Sequence, residues 1–163
     1  AFGCRILAAN RSAREPGGAV EQVFPLSELD HMLPECDYVV LCTALGPETE
    51  GLIDARRLSL MKPSAFLVNI ARGAVVDEGA IYTALRDRAI GGAALDVWWQ
   101  YPNTADPQRR PSRYAFHELP NVIMTPHCSG WTEGMVARRW AEVAENINRF
   151  VRGEPLQNIV VTT

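Results

Sequence analysis

The stretch Ala65-Phe-Leu-Val-Asn-Ile-Ala-Arg-Gly-Ala-Val-Val-Asp-Glu78, continued as far as Asp96, decides the fold. Ala65–Ile70 is a short run, apolar on both sides, that reads as a buried strand. Asp77 stands at an N-cap position, where its carboxylate can accept from the free N–H groups of a first turn, and predicts a helix through Arg88. Gly91-Gly92 supplies the stop, and Ala93-Ala-Leu95 is a second short strand that ends on Asp96. Strand, helix and strand in that order call for a crossover and hence for parallel pairing.

The same alternation extends in both directions. Cys4–Ala9 and Tyr38–Cys42 are apolar strand-like runs, separated by a Pro- and Gly-containing loop over Ala13–Ala19 and a short helix over Ser27–Leu33 that stops before Pro34. Asp54 predicts a capped helix through Leu60, ended by Lys62-Pro63. Beyond Asp96, an irregular, proline-containing stretch from Tyr101 to Pro120 precedes a last strand at Val122–Met124. A long helix is then expected from about Thr132 to Arg152. Met135, Val136, Trp140, Val143, Ile147, Phe150 and Val151 recur at roughly a 3.6-residue period, and Gly153 and Pro155 end it. The expectation is an α/β fold, a doubly wound parallel sheet covered on both faces.

Composition agrees. The 163 residues are 47% hydrophobic and 21% charged, which excludes a disordered tail, a collagen-like fibre and a coiled coil. The net charge of -3, with basic residues scattered, gives no footprint for nucleic acid. No apolar run reaches the ~18 residues of a membrane span, and no leader pattern opens the sequence, so a cytoplasmic protein without a membrane partner is expected. Cys4, Cys36, Cys42 and Cys128 fit no metal-ligand spacing, and reduced thiols are expected.

In an open parallel sheet, ligands gather beyond the carboxyl ends of the strands. There the sequence sets Asn10-Arg11-Ser12, Thr43, Arg72, Asp96 and His127, each after one apolar run. An Arg, an Asp and a His at three successive strand ends suit an anionic substrate in redox or acid–base chemistry.

The words around these residues are Pro47-Glu-Thr-Glu-Gly-Leu-Ile53, Val68-Asn-Ile-Ala-Arg-Gly-Ala-Val-Val-Asp-Glu78, Gly92-Ala-Ala-Leu-Asp-Val97 and Leu119-Pro-Asn-Val-Ile-Met-Thr-Pro-His127. In that order they closely resemble the nucleotide-binding domain of the D-isomer-specific 2-hydroxyacid dehydrogenases, over essentially the whole chain. The resemblance implies a Rossmann-type fold and hydride transfer between NAD(P) and a small 2-hydroxy or 2-oxo acid, in a homodimer. It makes Arg72 the clamp for the substrate carboxylate, which a planar guanidinium binds bidentately, and His127 the acid–base group. It also implies cofactor contacts at Asp96, Thr43, Ala44, Thr49, Ile70 and Ala71. Ser129 and Gly130, in His-Cys-Ser-Gly, resemble the formate dehydrogenase version of that loop.

Two positions depart from the family pattern. The Glu that usually pairs with the catalytic His is replaced by Tyr101, before Pro102, with Gln100 one residue earlier. Either side chain is then a candidate to orient His127. A binding or regulatory module without turnover is the competing reading. The Asp that contacts the adenosine 2′-hydroxyl in NAD-dependent members is Asn10, followed by Arg11-Ser12, so NADP is expected to be preferred over NAD.

No G-x-G-x-x-G spacing occurs, and the chain opens at Ala1 with a strand-like run three residues later. Residues 1–152 are therefore expected to be a partial dinucleotide-binding domain without its first strand and phosphate loop, and 153–163 a tail returning toward a substrate domain. A proteolytic fragment, part of a longer enzyme, or a gap filled by a second chain would each explain this. The first strand of such a sheet lies at its centre, so its absence should leave two central edges unpaired.

Overall fold

Strand formation follows the apolar runs, and each strand pairs in parallel. The computed structural model describes residues 3–11 and 15–159, which fall into two units, Ala1–Ser129 and Gly130–Thr163. In the first unit β1 (Ile6–Asn10) pairs with β2 (Val20–Pro25). A four-stranded sheet runs β3 (Tyr38–Leu41), β4 (Phe66–Asn69), β5 (Gly92–Leu95) and β6 (Val122–Met124), in sequence order. Among the described residues, the end strands of the two sheets, β1, β2, β3 and β6, each pair on one edge alone.

Sequence reading found five of the six strands. It missed β2, where Glu21 and Gln22 are exposed and Pro25 closes the run. A strand with one neighbour can carry proline and polar residues that a central strand cannot, so its apolar signal is weak.

The register puts Val39, Leu67 and Ala93 in one row and Val40, Val68, Ala94 and Ile123 in the next. The first row is buried with Leu58 of α2 (Ala55–Leu60) and Ile81 and Leu85 of α3 (Glu78–Arg86), each fully buried side chain adding about 1.5–3 kcal/mol. The second row is open, with Val40 52% and Ile123 68% exposed. Within the first unit, α2 and α3 cover the first row, both joining the same buried cluster.

Both predicted caps form. Asp54 accepts from Arg57 N at 2.8 Å and Asp77 from Ala80 N at 2.7 Å. A parallel bridge, Ile53 to Val76, ties the two cap segments together. Helix α3 ends at Arg86, short of the expected Arg88, which instead adopts a left-handed φ of 53°. The expected helix at Ser27–Leu33 is a string of short turns around α1 (Leu29–Met32), and Pro34 sits within the last of them, Leu33–Glu35. Proline is tolerated there because the first N–H of a turn needs no partner.

In the second unit, α4 (Met135–Arg152) begins later than Thr132 because Gly134 turns left-handed at φ 73°. Gly153, at φ 67°, ends it as predicted, with Glu154 N returning to Arg149 O. The following residues fold back on α4, where Gln157 exchanges two hydrogen bonds with Asn146. No helix among the described residues is long and apolar enough to cross a membrane.

Candidate active site

Parallel pairing places the carboxyl ends of β3 to β6 on one edge, and the polar residues singled out from sequence follow them there. Beyond β4, the turn that carries Arg72 is shaped by Asn69, which is fully buried. Its Oδ1 accepts from Ala71 N at 3.1 Å and its Nδ2 donates to Arg72 O at 3.0 Å. One amide side chain thereby fixes the backbone on both sides of the guanidinium. Arg72 is exposed and donates to Ala71 O. With Thr43, Ala44, Ile70 and Ala71 it lines an open cleft of ≈ 530 Å³, which Cys42 and Leu45 complete. Thr49 does not line it. That side chain is buried, accepts from Gly46 N and donates to Ala44 O, so it holds the loop that follows β3.

Gly73 joins this turn to the next strand end. A Cβ there would stand 2.4 Å from the carbonyl carbon and oxygen of Trp98, so only glycine lets the two backbones meet.

Asp96 follows β5 and is 3% exposed. One carboxylate oxygen accepts from Thr125 Oγ1 and Cys128 N, the other from Ser129 N. Burial alone would raise its pKa. The hydrogen bonds from Ser129, Thr125 and the Cys128 backbone overcome that and hold the carboxyl well below the usual carboxylate range. Asp96 thus anchors the loop on either side of His127, whose backbone lies in the left-handed region at φ 57°. Such a conformation costs a non-glycine residue about 1–3 kcal/mol and persists only when neighbours over-determine it.

His127 is exposed, and its Nδ1 lies 3.0 Å from Tyr101 Oη. The rings are tilted by 42° with centroids 5.7 Å apart. Tyr101 Oη accepts from Trp98 N at 3.0 Å, and the Trp98 indole donates to Thr125 O at 3.0 Å. Gln100, the other candidate partner, is held by Arg109 at 2.9 Å and does not reach the histidine. Further along the irregular stretch, buried Glu78 accepts from Ser112 Oγ and pairs with Arg113.

Asn10 closes β1 and accepts from Arg11 N at 2.8 Å. Arg11 is an exposed cation 3.5 Å from Glu48, and with Ser27 and Arg57 it borders a second cleft of ≈ 310 Å³. Ser12 lies outside the described residues. Ser129 belongs to the Asp96-anchored loop, while Gly130 opens the second unit. Asn69, Trp98 and Thr125 are site-building residues that sequence reading passed over. All three stand in or directly beside the quoted motifs, so position could have found them, but their partners could not be read without the fold.

Comparison with known proteins gives a consistent result. Residues 1–129 match the family described as D-isomer specific 2-hydroxyacid dehydrogenase, NAD binding domain. A glyoxylate reductase of Thermococcus onnurineus is 41% identical over 157 residues, covering 94% of this chain and 43% of that protein. Formate dehydrogenase 2, mitochondrial, of Oryza sativa subsp. japonica is 35% identical, covering 98% of this chain and 41% of that protein. Among solved structures, the NAD-complexed D-isomer specific 2-hydroxyacid dehydrogenase of Lactobacillus delbrueckii ssp. bulgaricus superposes with a TM-score of 0.82 at 29% identity, over 98% of this chain and 49% of that one. The NADPH-dependent glyoxylate/hydroxypyruvate reductase of Sinorhizobium meliloti, solved with NADP and sulfate, gives 0.77 at 28% identity, over 97% of this chain and 48% of that one. The chain spans a little under half the length of these relatives. With a parallel sheet, a polar carboxyl edge and a family match over most of its residues, the chain belongs to the NAD-binding domain family of the D-isomer specific 2-hydroxyacid dehydrogenases.

Proposed function

We propose that this chain forms the cofactor-binding part of an oxidoreductase that moves a hydride between NAD(P) and a small 2-hydroxy or 2-oxo acid. The observation that carries the reading is the placement of Arg72 and His127 beyond β4 and β6, on the same sheet edge, with Asp96 between them. Strands two apart stand about 10 Å from each other, a span that a small acid and two long side chains can bridge. Arg72 holds the carboxylate through its planar fork, and His127 gives or takes the proton at the substrate oxygen.

The residues present fit a dinucleotide in part. The cleft bordered by Thr43, Ala44, Ile70 and Ala71 offers small side chains and open backbone. The chain itself has no glycine-rich phosphate loop. When bound, the nicotinamide supplies or accepts the hydride. The chain's own residues orient the acid and handle its proton.

Asn10 in place of a carboxylate removes a repulsion from a 2′-phosphate, and exposed Arg11 offers it a positive charge, which supports NADP over NAD. Comparing kcat/KM for the two cofactors tests this, and Asn10→Asp should move the ratio toward NAD. Assembly as a homodimer in the cytoplasm completes the reading, with sedimentation velocity as the check on the dimer.

Oxidation of NADPH followed at 340 nm with glyoxylate or hydroxypyruvate tests the activity. His127→Gln should remove at least about 99% of it, the usual range for a lost acid–base group, and Arg72→Ala should raise KM for the acid. Cofactor binding without turnover for any such acid would favour the regulatory module instead, a reading supported by Tyr101 at the position of the usual carboxylate.

A further inference from the structure

We propose that Tyr101 is the positioning residue of His127 and sets which ring nitrogen holds the proton. The proposal rests on reading His127 as the acid–base group, but its geometry stands independently. Trp98 N–H donates to Tyr101 Oη at 3.0 Å and occupies one side of that oxygen. A backbone amide can only donate, so the phenol's own proton is free to point onward to Nδ1 of His127, also 3.0 Å away. With the phenol proton aimed at Nδ1, the three groups form a chain from amide to phenol to imidazole in which each bond polarises the next.

Trp98 is fixed at the head of the chain because the residue is only 9% exposed and its indole donates to Thr125 O. At the far end, the His127 backbone is held by the Asp96 bonds to Cys128 N and Ser129 N. Both ends of the contact are thereby anchored through the backbone.

An Nδ1 that accepts from Tyr101 leaves the proton of neutral His127 on Nε2. That form rests between the two working states. Donation to a substrate oxygen requires the imidazolium, which forms when the Tyr101 hydroxyl turns away and its oxygen accepts from Nδ1–H. The imidazolium then gives its Nε2 proton to the substrate oxygen and leaves a neutral ring with its proton on Nδ1. A carboxylate at position 101 would act in the opposite sense, since it only accepts and would hold the Nδ1 proton throughout. The other charged or titratable groups on the elements that meet here are Asp96, engaged by three donors, Cys128, and Arg109, which holds Gln100.

The full chain, labelled with ¹⁵N in its histidine rings, gives the test. Only three histidines occur, and His127→Gln assigns the signal of interest against His31 and His117. At about pH 9, above the ordinary imidazole titration, His127 should show the Nε2–H pattern. Tyr101→Glu should switch it to Nδ1–H, and Gln100→Ala should leave it unchanged. An Nδ1–H pattern in the parent, or no switch in Tyr101→Glu, overturns the proposal. A switch caused by Gln100→Ala reassigns the role and also overturns it. In turnover, Tyr101→Glu should move the alkaline half-point of reduction upward by a unit or more. Tyr101→Phe should lower reductive kcat/KM about tenfold or more, the worth of a hydrogen bond to the charged imidazolium. If His127→Gln keeps full turnover, the acid–base reading fails, while the tautomer result stands or falls on the spectra.

Discussion

Replacing Asp96 with asparagine tests the anchoring of the His127 loop, because it keeps the shape and removes the charge. The carboxylate serves three donors, two on one oxygen and one on the other, with 3% of the residue exposed. An amide can retain its oxygen toward Thr125 and Cys128, but its NH2 then faces Ser129 N, donor against donor. The loss is one charge-assisted hydrogen bond, with the Ser129 N–H left facing the amide NH2. That costs about 1.5–3 kcal/mol.

In a chain of this size that lowers Tm by about 5–10 °C. Thermal unfolding by circular dichroism at neutral pH reads it, and hydrogen exchange at the Cys128 and Ser129 amides localises it. The sign with pH follows from the depressed carboxyl. Its contribution is complete above the unfolded value of about 3.9 and is lost as pH falls toward the lower native one. The gap between parent and Asp96→Asn should therefore be widest at neutral pH and narrow in acid. Asp77→Asn is the control, since asparagine caps a helix as well as aspartate does. A Tm for Asp96→Asn within 1 °C of the parent, with unchanged exchange at both amides, would refute the anchoring argument.

Other substitutions probe the surrounding architecture. Gly73→Ala forces a methyl against the Trp98 carbonyl, 2.4 Å away, and should cost roughly 1–3 kcal/mol or more in urea unfolding, because backbone must move. Asp77→Ala removes the bond to Ala80 N and should cost about 1 kcal/mol by the same measurement. Asp30, bridging Arg56 and Arg57, is held down to about 2 by their hydrogen bonds. Its support for the α1–α2 contact should be present above about pH 4 and fade as pH falls through about 2, so Asp30→Asn should flatten the acid limb of the Tm profile.

Much of the fold was legible because the chain is locally consistent. Buried parallel strands need continuous apolar runs, and Phe66–Asn69 and Gly92–Leu95 could scarcely be anything else once Asp77 and Gly91-Gly92 bracketed a helix between them. Val20–Pro25 was illegible for the opposite reason, since its single neighbour relaxes the demand for apolar residues. Helix ends at Arg86 and Met135 were misjudged by two or three residues, where left-handed turns at Arg88 and Gly134 intervene.

The sequence by itself determined the fold class, the polar carboxyl edge and the family, because strand periodicity, capping and motif order are local properties. It also narrowed the partner of His127 to two neighbours. Only the tertiary structure chose between them, turning Tyr101 toward the imidazole and Gln100 toward Arg109. It likewise made Asp96 the anchor of a loop some thirty residues ahead in the chain, and gave Asn69 and Trp98 their roles. Adjacent residues differ in such ways because direction in space is set by packing across strands, which no one-dimensional spacing encodes.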